Sequence, residues 1–129
     1  MKWIVPAMLV LVALIHLPPL LGVLGAARME SAYGVPIADP NLAVLMRHRA
    51  VLFGLVGSLM VAAVFVPSLR AAALLISLLS AGSFVLLAWS SAGLNANLGR
   101  VAMVDVAAVV FSLVGLAAWW VQRTPAASA

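Results

Sequence analysis

The sequence contains no cysteine and very few charged residues, and each shortage excludes a class of protein. Without cysteine there is no disulfide, thiolate nucleophile, iron–sulfur cluster or Cys-based zinc site. Only 8% of the 129 residues are charged, whereas 67% are hydrophobic. A water-soluble fold is excluded, because a domain of this size has too little interior to bury so much apolar surface. Motifs for a catalytic nucleophile and glycine loops that bind phosphate are also absent.

Seven basic residues give the chain a net charge of +4, a balance that in a soluble protein would indicate nucleic acid as a partner. Here the basic residues are scattered singly near the ends of apolar segments. We therefore interpret them as anchors at the membrane surface and exclude nucleic acid as a partner.

Four long apolar segments predict four membrane-spanning helices, since a helix needs about 20 residues to cross the hydrocarbon core. They lie at about residues 3–25, 42–66, 71–90 and 101–121. The whole chain, residues 1–129, is predicted to be a single transmembrane domain. Its fold class is all-α, an integral membrane antiparallel four-helix bundle.

Prolines and polar residues mark the boundaries of these segments. Pro18 and Pro19 lack backbone N–H groups and predict a kink in the first span. Residues 26–39 are predicted to form the one long loop, and residues 91–99 a polar loop. Asp39 suits an N-cap and Pro40 the first helical position, so the second helix is expected to begin there.

The charges at the helix ends suggest an orientation in a bacterial inner membrane. Arg47 and Arg49 are treated as partly buried and left out of the comparison. Three basic residues then mark the side of the termini and two mark the opposite side: Lys2, Arg70 and Arg123 against Arg28 and Arg100. The positive-inside rule therefore predicts a multi-pass protein with cytoplasmic termini.

Small residues recur at helical spacing and predict the faces on which the helices pack. In the second span they are Ala50, Gly54, Gly57, Ser58, Val61 and Ala62. In the third they are Ala73, Ser77, Ser80, Ala81 and Ala88, and in the fourth Asp105, Ala108, Ser112 and Gly115. Arg47 falls on the same face as Gly54, whereas Arg49 points largely away from it.

Polar residues from several helices are predicted to meet at one depth. Measured by helical rise from the side of the termini, Asp105 lies about 25 Å deep and Arg47 about 28 Å deep. A buried aspartate needs a partner, so we expect an ion pair between them. Polar residues of the other spans and of the two loops reach the same leaflet. The predicted ligand-binding site is His16, Tyr33, Arg47, His48, Arg49, Trp89, Asn95 and Asp105.

This cluster allows a structural reading and several functional ones. In the structural reading the ion pair only locks two helices together, while His48 and Arg49 contact lipid head groups. In the favoured functional reading the cluster binds the polar head of a lipid or a quinone-like molecule. His16 and His48 together suggest haem, and the methionines suggest copper: Met29, Met46 and Met103. We interpret the histidines as hydrogen-bonded residues of the bundle and not as metal ligands, and the methionines as packing residues. We assign no metal and no catalytic residue.

Proton-coupled transport through Asp105 and His16 is a further alternative. Only three carboxylate residues are present in the chain, and no internal repeat or pair of broken helices is visible. The residue pattern therefore favours a binding protein over a transporter.

Several short motifs resemble the DoxX-like families of small four-span bacterial membrane proteins. They are Tyr33-Gly34-Val35, Asp39-Pro40-Asn41, Met46-Arg47-His48-Arg49-Ala50 and Phe53-Gly54, followed by Asn95, Arg100 and Asp105. The resemblance covers nearly the whole chain. It implies an inner-membrane four-helix bundle, and some members of these families are associated with quinone-linked oxidoreductases.

We expect a small, non-catalytic protein that is an accessory or binds a hydrophobic ligand. The expected partners are membrane lipid, a quinone or another apolar small molecule, and either further copies of the chain or a larger membrane complex. The rival interpretation is a subunit of a membrane oxidoreductase that binds haem or quinone.

Overall fold

The computed structural model describes residues 2–124, which form helices and turns and contain no strand. The α-helices are α1 (Ile4–His16), α2 (Ala26–Tyr33), α3 (Pro40–Phe65), α4 (Arg70–Ser90) and α5 (Ala96–Arg123). Two 3₁₀ helices, Pro18–Leu24 and Pro67–Leu69, continue α1 and precede α4. Four helical segments are long and apolar enough to cross a membrane: Ile4–Leu24, Pro40–Phe65, Pro67–Ser90 and Ala96–Arg123. The prediction of an all-α four-helix bundle is confirmed.

The first span changes its helical form at the proline pair. The α-helix ends at His16, and the Leu17 N–H still donates to the Ala13 carbonyl at 2.9 Å. Pro18 and Pro19 supply no N–H, and the chain continues from Pro18 as a 3₁₀ helix. The proline pair for which a kink is predicted thus marks a change from an α-helix to the tighter 3₁₀ helix.

The segment after the first span was predicted to be a loop, and this prediction is wrong in part. Residues 26–33 form α2, which ends at Gly34 with a left-handed φ of 65°. The Gly34 N–H donates to the Glu30 carbonyl at 2.8 Å, and the Ile37 N–H donates to Glu30 Oε1 at 2.6 Å. Glycine has no Cβ to oppose this conformation, so it ends the helix at low cost.

Side chains cap the starts of α3 and α5. Asp39 Oδ1 accepts from the Asn41 N–H at 2.7 Å, and this bond holds the pKa of the Asp39 carboxyl below its ordinary value. Asn95 Oδ1 accepts from the Leu98 N–H at 2.8 Å. The cap predicted at Asp39 is confirmed. The fourth span begins at Ala96, earlier than the predicted start near 101, because Asn95 is an N-cap within the supposed loop.

Glycines on α3 allow the first span to pack directly on its backbone. A Cβ added to Gly54 would lie 2.6 Å from Leu20 Cδ1, and one added to Gly57 would lie 2.7 Å from Leu17 Cγ. Leu17 precedes Leu20 whereas Gly57 follows Gly54, so the two spans run antiparallel. The first span therefore occupies the small-residue face of α3.

The pair formed by α4 and α5 is packed in the same way. Gly115 of α5 lies against Leu74 of α4, where an added Cβ would be 2.9 Å from Leu74 Cδ2. Ser112 Oγ donates to Ser77 Oγ at 3.0 Å in the buried contact between the same helices. Numbering again runs in opposite directions along the two partners, so this pair is also antiparallel.

The predicted small-residue faces are right for α5 and partly right for α3 and α4. Asp105, Ala108, Ser112 and Gly115 are all buried on α5. The buried residues of α3 are Ala50, Gly54, Gly57, Met60 and Ala63, whereas Ser58 and Val61 are exposed. Those of α4 are Ala73, Leu74, Ser77, Ala81, Val85 and Ala88, with Ser80 only partly buried.

Large apolar side chains cover the outside of the bundle. Leu79 and Leu86 of α4 are 71% and 70% exposed. The interior, by contrast, contains several polar side chains: His16, Ser77, Asp105 and Ser112. An apolar exterior of this kind is stable in lipid and unfavourable in water, which agrees with a multi-pass membrane protein.

A paired substitution tests the close approach at Gly57. Alanine gains about 1 kcal/mol of helix propensity over glycine. At Gly57 the new methyl group meets Leu17, so we expect Gly57→Ala to lower the free energy of unfolding by about 1–3 kcal/mol. At Gly82 of α4 the nearest atom is Val109 Cγ2 at 3.9 Å, so Gly82→Ala should not destabilise.

The measurement is unfolding of both variants in detergent micelles, followed by circular dichroism. Equal stability of the Gly57 variant and the wild type would contradict the packing of the first span on α3.

Candidate ligand-binding site

A cavity of about 540 Å³ lies near the end of the bundle formed by α2 and the start of α5. The first span and α4 pack on their neighbours closely, while α3 and α5 make little direct contact with each other. The cavity occupies the space between them. Its apolar wall is Leu14, Ile15, Pro18, Pro19, Phe53, Val101 and Val104, and α2 contributes Ser31, Ala32 and Tyr33.

Charged and polar side chains also line this cavity. They come from α3 and from one face of α5: Arg49, Asn97, Arg100 and Asp105. Two guanidinium groups and one carboxylate give the lining a formal charge of +1. The site therefore combines a mainly apolar lining with a few polar groups and a net positive charge.

Asp105 is the buried acid of the site. Only 3% of the residue is exposed, and its Oδ2 atom has no hydrogen-bond partner among the described residues. Arg49 is the cation that attracts its carboxylate. Burying a carboxylate in an apolar bundle is costly, so this attraction and the cavity beside it lower the cost of keeping the charge.

The predicted pairing of Asp105 with Arg47 is wrong, because the small-residue face of α3 packs on a different neighbour. That face, at Gly57, contacts Leu17 of the first span and not α5. Arg47 shares this face and is exposed near the start of α3. Arg49, two residues and about 200° further around the helix, lines the cavity instead.

Three aromatic rings surround the guanidinium of Arg49. Its Cζ atom lies 5.2 Å from the ring centre of Tyr33, 4.9 Å from that of Phe53 and 5.0 Å from that of Phe84. The rings belong to α2, α3 and α4, so Arg49 holds three elements together. Cation–π contacts of this kind contribute about 0.5–2 kcal/mol each, the more the drier the site.

His16 is fully buried at the end of α1, and its hydrogen bond defines its tautomer. Nδ1 lies 3.0 Å from the Val12 carbonyl oxygen. A carbonyl only accepts, so Nδ1 carries the proton. The ring is 5.6 Å from that of Phe53, which lines the cavity, and Nε2 has no partner among the described residues.

Two asparagines attach α2 to the start of α5 and so form one end of the cavity. Asn95 Nδ2 donates to the carbonyls of Tyr33 and Gly34 at 3.0 and 3.3 Å. Asn97 Nδ2 donates to the Ser31 carbonyl at 3.2 Å. Asn95 therefore caps α5 and positions Tyr33 at once, and it does not itself line the cavity.

The remaining residues of the predicted site lie away from the cavity. Trp89 is 67% exposed, one position beyond the buried Ala88 of α4, and it faces outward. His48 is exposed on α3, five residues and about 140° from Phe53, the residue that His16 contacts. The two histidines therefore do not face one another.

Among residues 2–124, His, Asp and Glu do not gather in groups of three that could hold a metal ion.

Asn97, Arg100, Ser31 and Phe53 line the cavity and were not predicted as site residues. Asn97 and Val101 lie eight and four residues before Asp105, so helical spacing places them near its face. The prediction of a loop over residues 91–99 hides this signal for Asn97. Arg100 lies about 140° around α5 from Asp105 and is interpreted from the sequence only as an anchor at the membrane surface. Ser31 gave no local signal, since its position depends on the fold of α2.

Comparison with known proteins gives no match to a protein family, to a curated protein or to a solved structure.

Proposed function

We propose that this protein binds an anionic amphipathic molecule of the membrane, in the first place a lipid, in the cavity between α3 and α5. The observation that carries the proposal is the composition of the cavity wall, which is mainly apolar and includes two arginines. Sites for amphipathic ligands combine a mainly apolar lining with a few polar groups that fix orientation, and about 540 Å³ is a usual size.

The two kinds of residue in the lining suit the two parts of such a ligand. An alkyl chain would contact Leu14, Ile15 and Val104, while the head group would lie near Arg100 and Asn97. The formal charge of +1 favours an anion over a cation. A guanidinium also binds phosphate and carboxylate oxygens through two parallel hydrogen bonds, which an ammonium group does not.

A binding role is supported over a catalytic one by the kinds of polar group in the cavity. The polar atoms of the cavity come from arginine, asparagine, serine, tyrosine and one aspartate, a set suited to holding a head group. We propose that the protein is a small accessory of the DoxX-like kind, on the strength of the sequence motifs described above.

We also propose a location in a bacterial inner membrane with both ends of the described chain on the same side. Arg47 is exposed and therefore counts on the side opposite the termini. The balance is then three basic residues on each side, Lys2, Arg70 and Arg123 against Arg28, Arg47 and Arg100, so the excess that predicted cytoplasmic termini is lost. Reporter fusions at the two ends of the chain are the direct test, and reporters that place the two ends on opposite sides would contradict the proposed four-span topology.

Lipid retention in native mass spectrometry tests the binding function. The purified protein in detergent is offered equal amounts of phosphatidylglycerol and phosphatidylcholine with identical chains. A charge-assisted hydrogen bond contributes about 1.5–3 kcal/mol, so we expect the wild type to retain the anionic lipid about tenfold more often. Arg100→Gln should lose most of this preference.

Arg47→Gln is the matched control. It removes the same charge from an exposed arginine near the start of α3, which does not line the cavity. It should bind lipid like the wild type. Equal loss in both variants would show that the head group binds to general surface charge and not in the cavity. A Soret band or a stoichiometric quinone in the purified protein would favour the redox alternative instead.

A further inference from the structure

A second cavity, of about 420 Å³, adjoins the cavity described above and lies along the 3₁₀ helix Pro18–Leu24 and α2. Some residues of these two elements line both cavities: Pro18, Pro19, Ser31, Ala32 and Tyr33. Ser31 and Ala32 are exposed, so the boundary between the two cavities is open to the surroundings of the bundle. One molecule that lies over these two residues can therefore enter both cavities.

The second cavity has the same kind of lining as the first. Apolar residues predominate in it: Pro18, Pro19, Leu21, Ala27, Met29 and Ala32. Among the described residues that line it, Arg28 is the one with a charge, so this cavity carries a formal charge of +1, as the first does. Glu30 of α2 does not line it, and its Oε1 atom accepts from the Ile37 N–H. Each cavity thus offers one net positive charge beside apolar surface.

Arg28 of the second cavity and Arg100 of the first are each one helical turn from the same hydrogen bond. In that bond Asn97 Nδ2 of α5 donates to the Ser31 carbonyl of α2 at 3.2 Å. Arg28 lies three residues before Ser31, and Arg100 lies three residues after Asn97. Residues three apart on a helix are about 5–6 Å from each other. Both arginines are exposed, so they form one cationic region at the contact between α2 and α5.

We propose that the two cavities together bind a lipid with two phosphodiester groups joined by a short polar bridge. One phosphodiester binds Arg100 and the other binds Arg28, while the bridge lies over Ser31 and Ala32. The acyl chains contact the apolar lining of the two cavities and continue into the bilayer. This inference rests on the proposed binding of an anionic lipid, and it adds a second subsite and the class of lipid preferred.

The charges and the geometry favour two phosphodiesters over one. A guanidinium binds the oxygens of a phosphodiester through two parallel hydrogen bonds, so each arginine suits one such group. When two groups are joined in one molecule, binding of the first brings the second to its subsite at a high effective concentration. A lipid with a single phosphodiester gains only one of the two contacts. Basic pockets between membrane helices are a known type of site for such double head groups.

The test compares cardiolipin, which has two phosphodiesters on a glycerol bridge, with phosphatidylglycerol, which has one. Phosphatidylcholine is the reference without net charge, and all three lipids carry the same acyl chains. Native mass spectrometry of the detergent-purified protein measures how often each lipid is retained. We expect the wild type to retain cardiolipin about tenfold over phosphatidylglycerol, because the second phosphodiester adds a charge-assisted hydrogen bond. Phosphatidylglycerol should in turn be retained over phosphatidylcholine.

Three variants assign the preference to the second subsite. Arg28→Gln should lower the ratio of cardiolipin to phosphatidylglycerol to about two, the ratio of their phosphodiesters, and leave phosphatidylglycerol above phosphatidylcholine. Arg47→Gln removes the same charge from an exposed arginine that lines neither cavity, and it should keep the full preference. Arg100→Gln should lower the retention of both anionic lipids. Circular dichroism checks that each variant is folded.

The outcomes separate this inference from the proposed function. Equal retention of cardiolipin and phosphatidylglycerol by the wild type, both above phosphatidylcholine, would overturn the second subsite and leave anionic-lipid binding in place. Equal retention of all three lipids would overturn both. A preference for cardiolipin that survives Arg28→Gln, or that Arg47→Gln lowers as much as Arg28→Gln does, would also overturn the second subsite.

Discussion

A carboxylate buried in an apolar helical bundle needs a nearby positive charge, and Arg49 of α3, which lines the same cavity as Asp105 of α5, supplies that charge. Asp105 lies on the small-residue face of α5, so it enters the interior together with the contacts that hold α5 to its neighbours. Arg49 is positioned by rings from three helical elements. The carboxylate of Asp105 is therefore stabilised in the membrane-spanning region by residues whose positions depend on the packing of the whole bundle.

The cavity is a consequence of how the small residues are distributed. Glycines on α3 bring the first span close to it, and Gly115 and Ser112 do the same for α5 with α4. The small-residue face of α3 is thus occupied by the first span, and that of α5 by α4. A gap therefore remains between α3 and α5. The 3₁₀ segment after Pro18 and the α2 helix close the gap at one end without filling it.

Much of the fold was predictable from local rules, whereas the site was predictable only in part. Hydropathy indicated four spans because an apolar segment of about 20 residues has few other stable environments. The cap at Asp39 and the inward face of α5 follow from residue types at fixed spacing. The spacing of residues along one helix does not show which neighbouring helix packs on a given face. The spacing therefore predicted Arg47, on the small-residue face of α3, as the partner of Asp105, whereas Arg49 lines the cavity in the folded protein. Asn97 was missed because residues 91–99 are predicted to form a loop, although Asn95 begins a helix within them. Arg100 was missed because its charge is interpreted as an anchor at the membrane surface.

Double-mutant cycles of unfolding free energy in detergent micelles test the central claim, that Asp105 interacts with Arg49. One cycle combines Asp105→Asn with Arg49→Gln, and the other combines Asp105→Asn with Arg47→Gln. Residues that interact show coupling of about 0.5–3 kcal/mol, whereas distant residues are additive within about 0.5 kcal/mol. The account predicts coupling of about 1 kcal/mol or more with Arg49 and additivity with Arg47. Coupling to Arg47 together with additivity for Arg49 would contradict it.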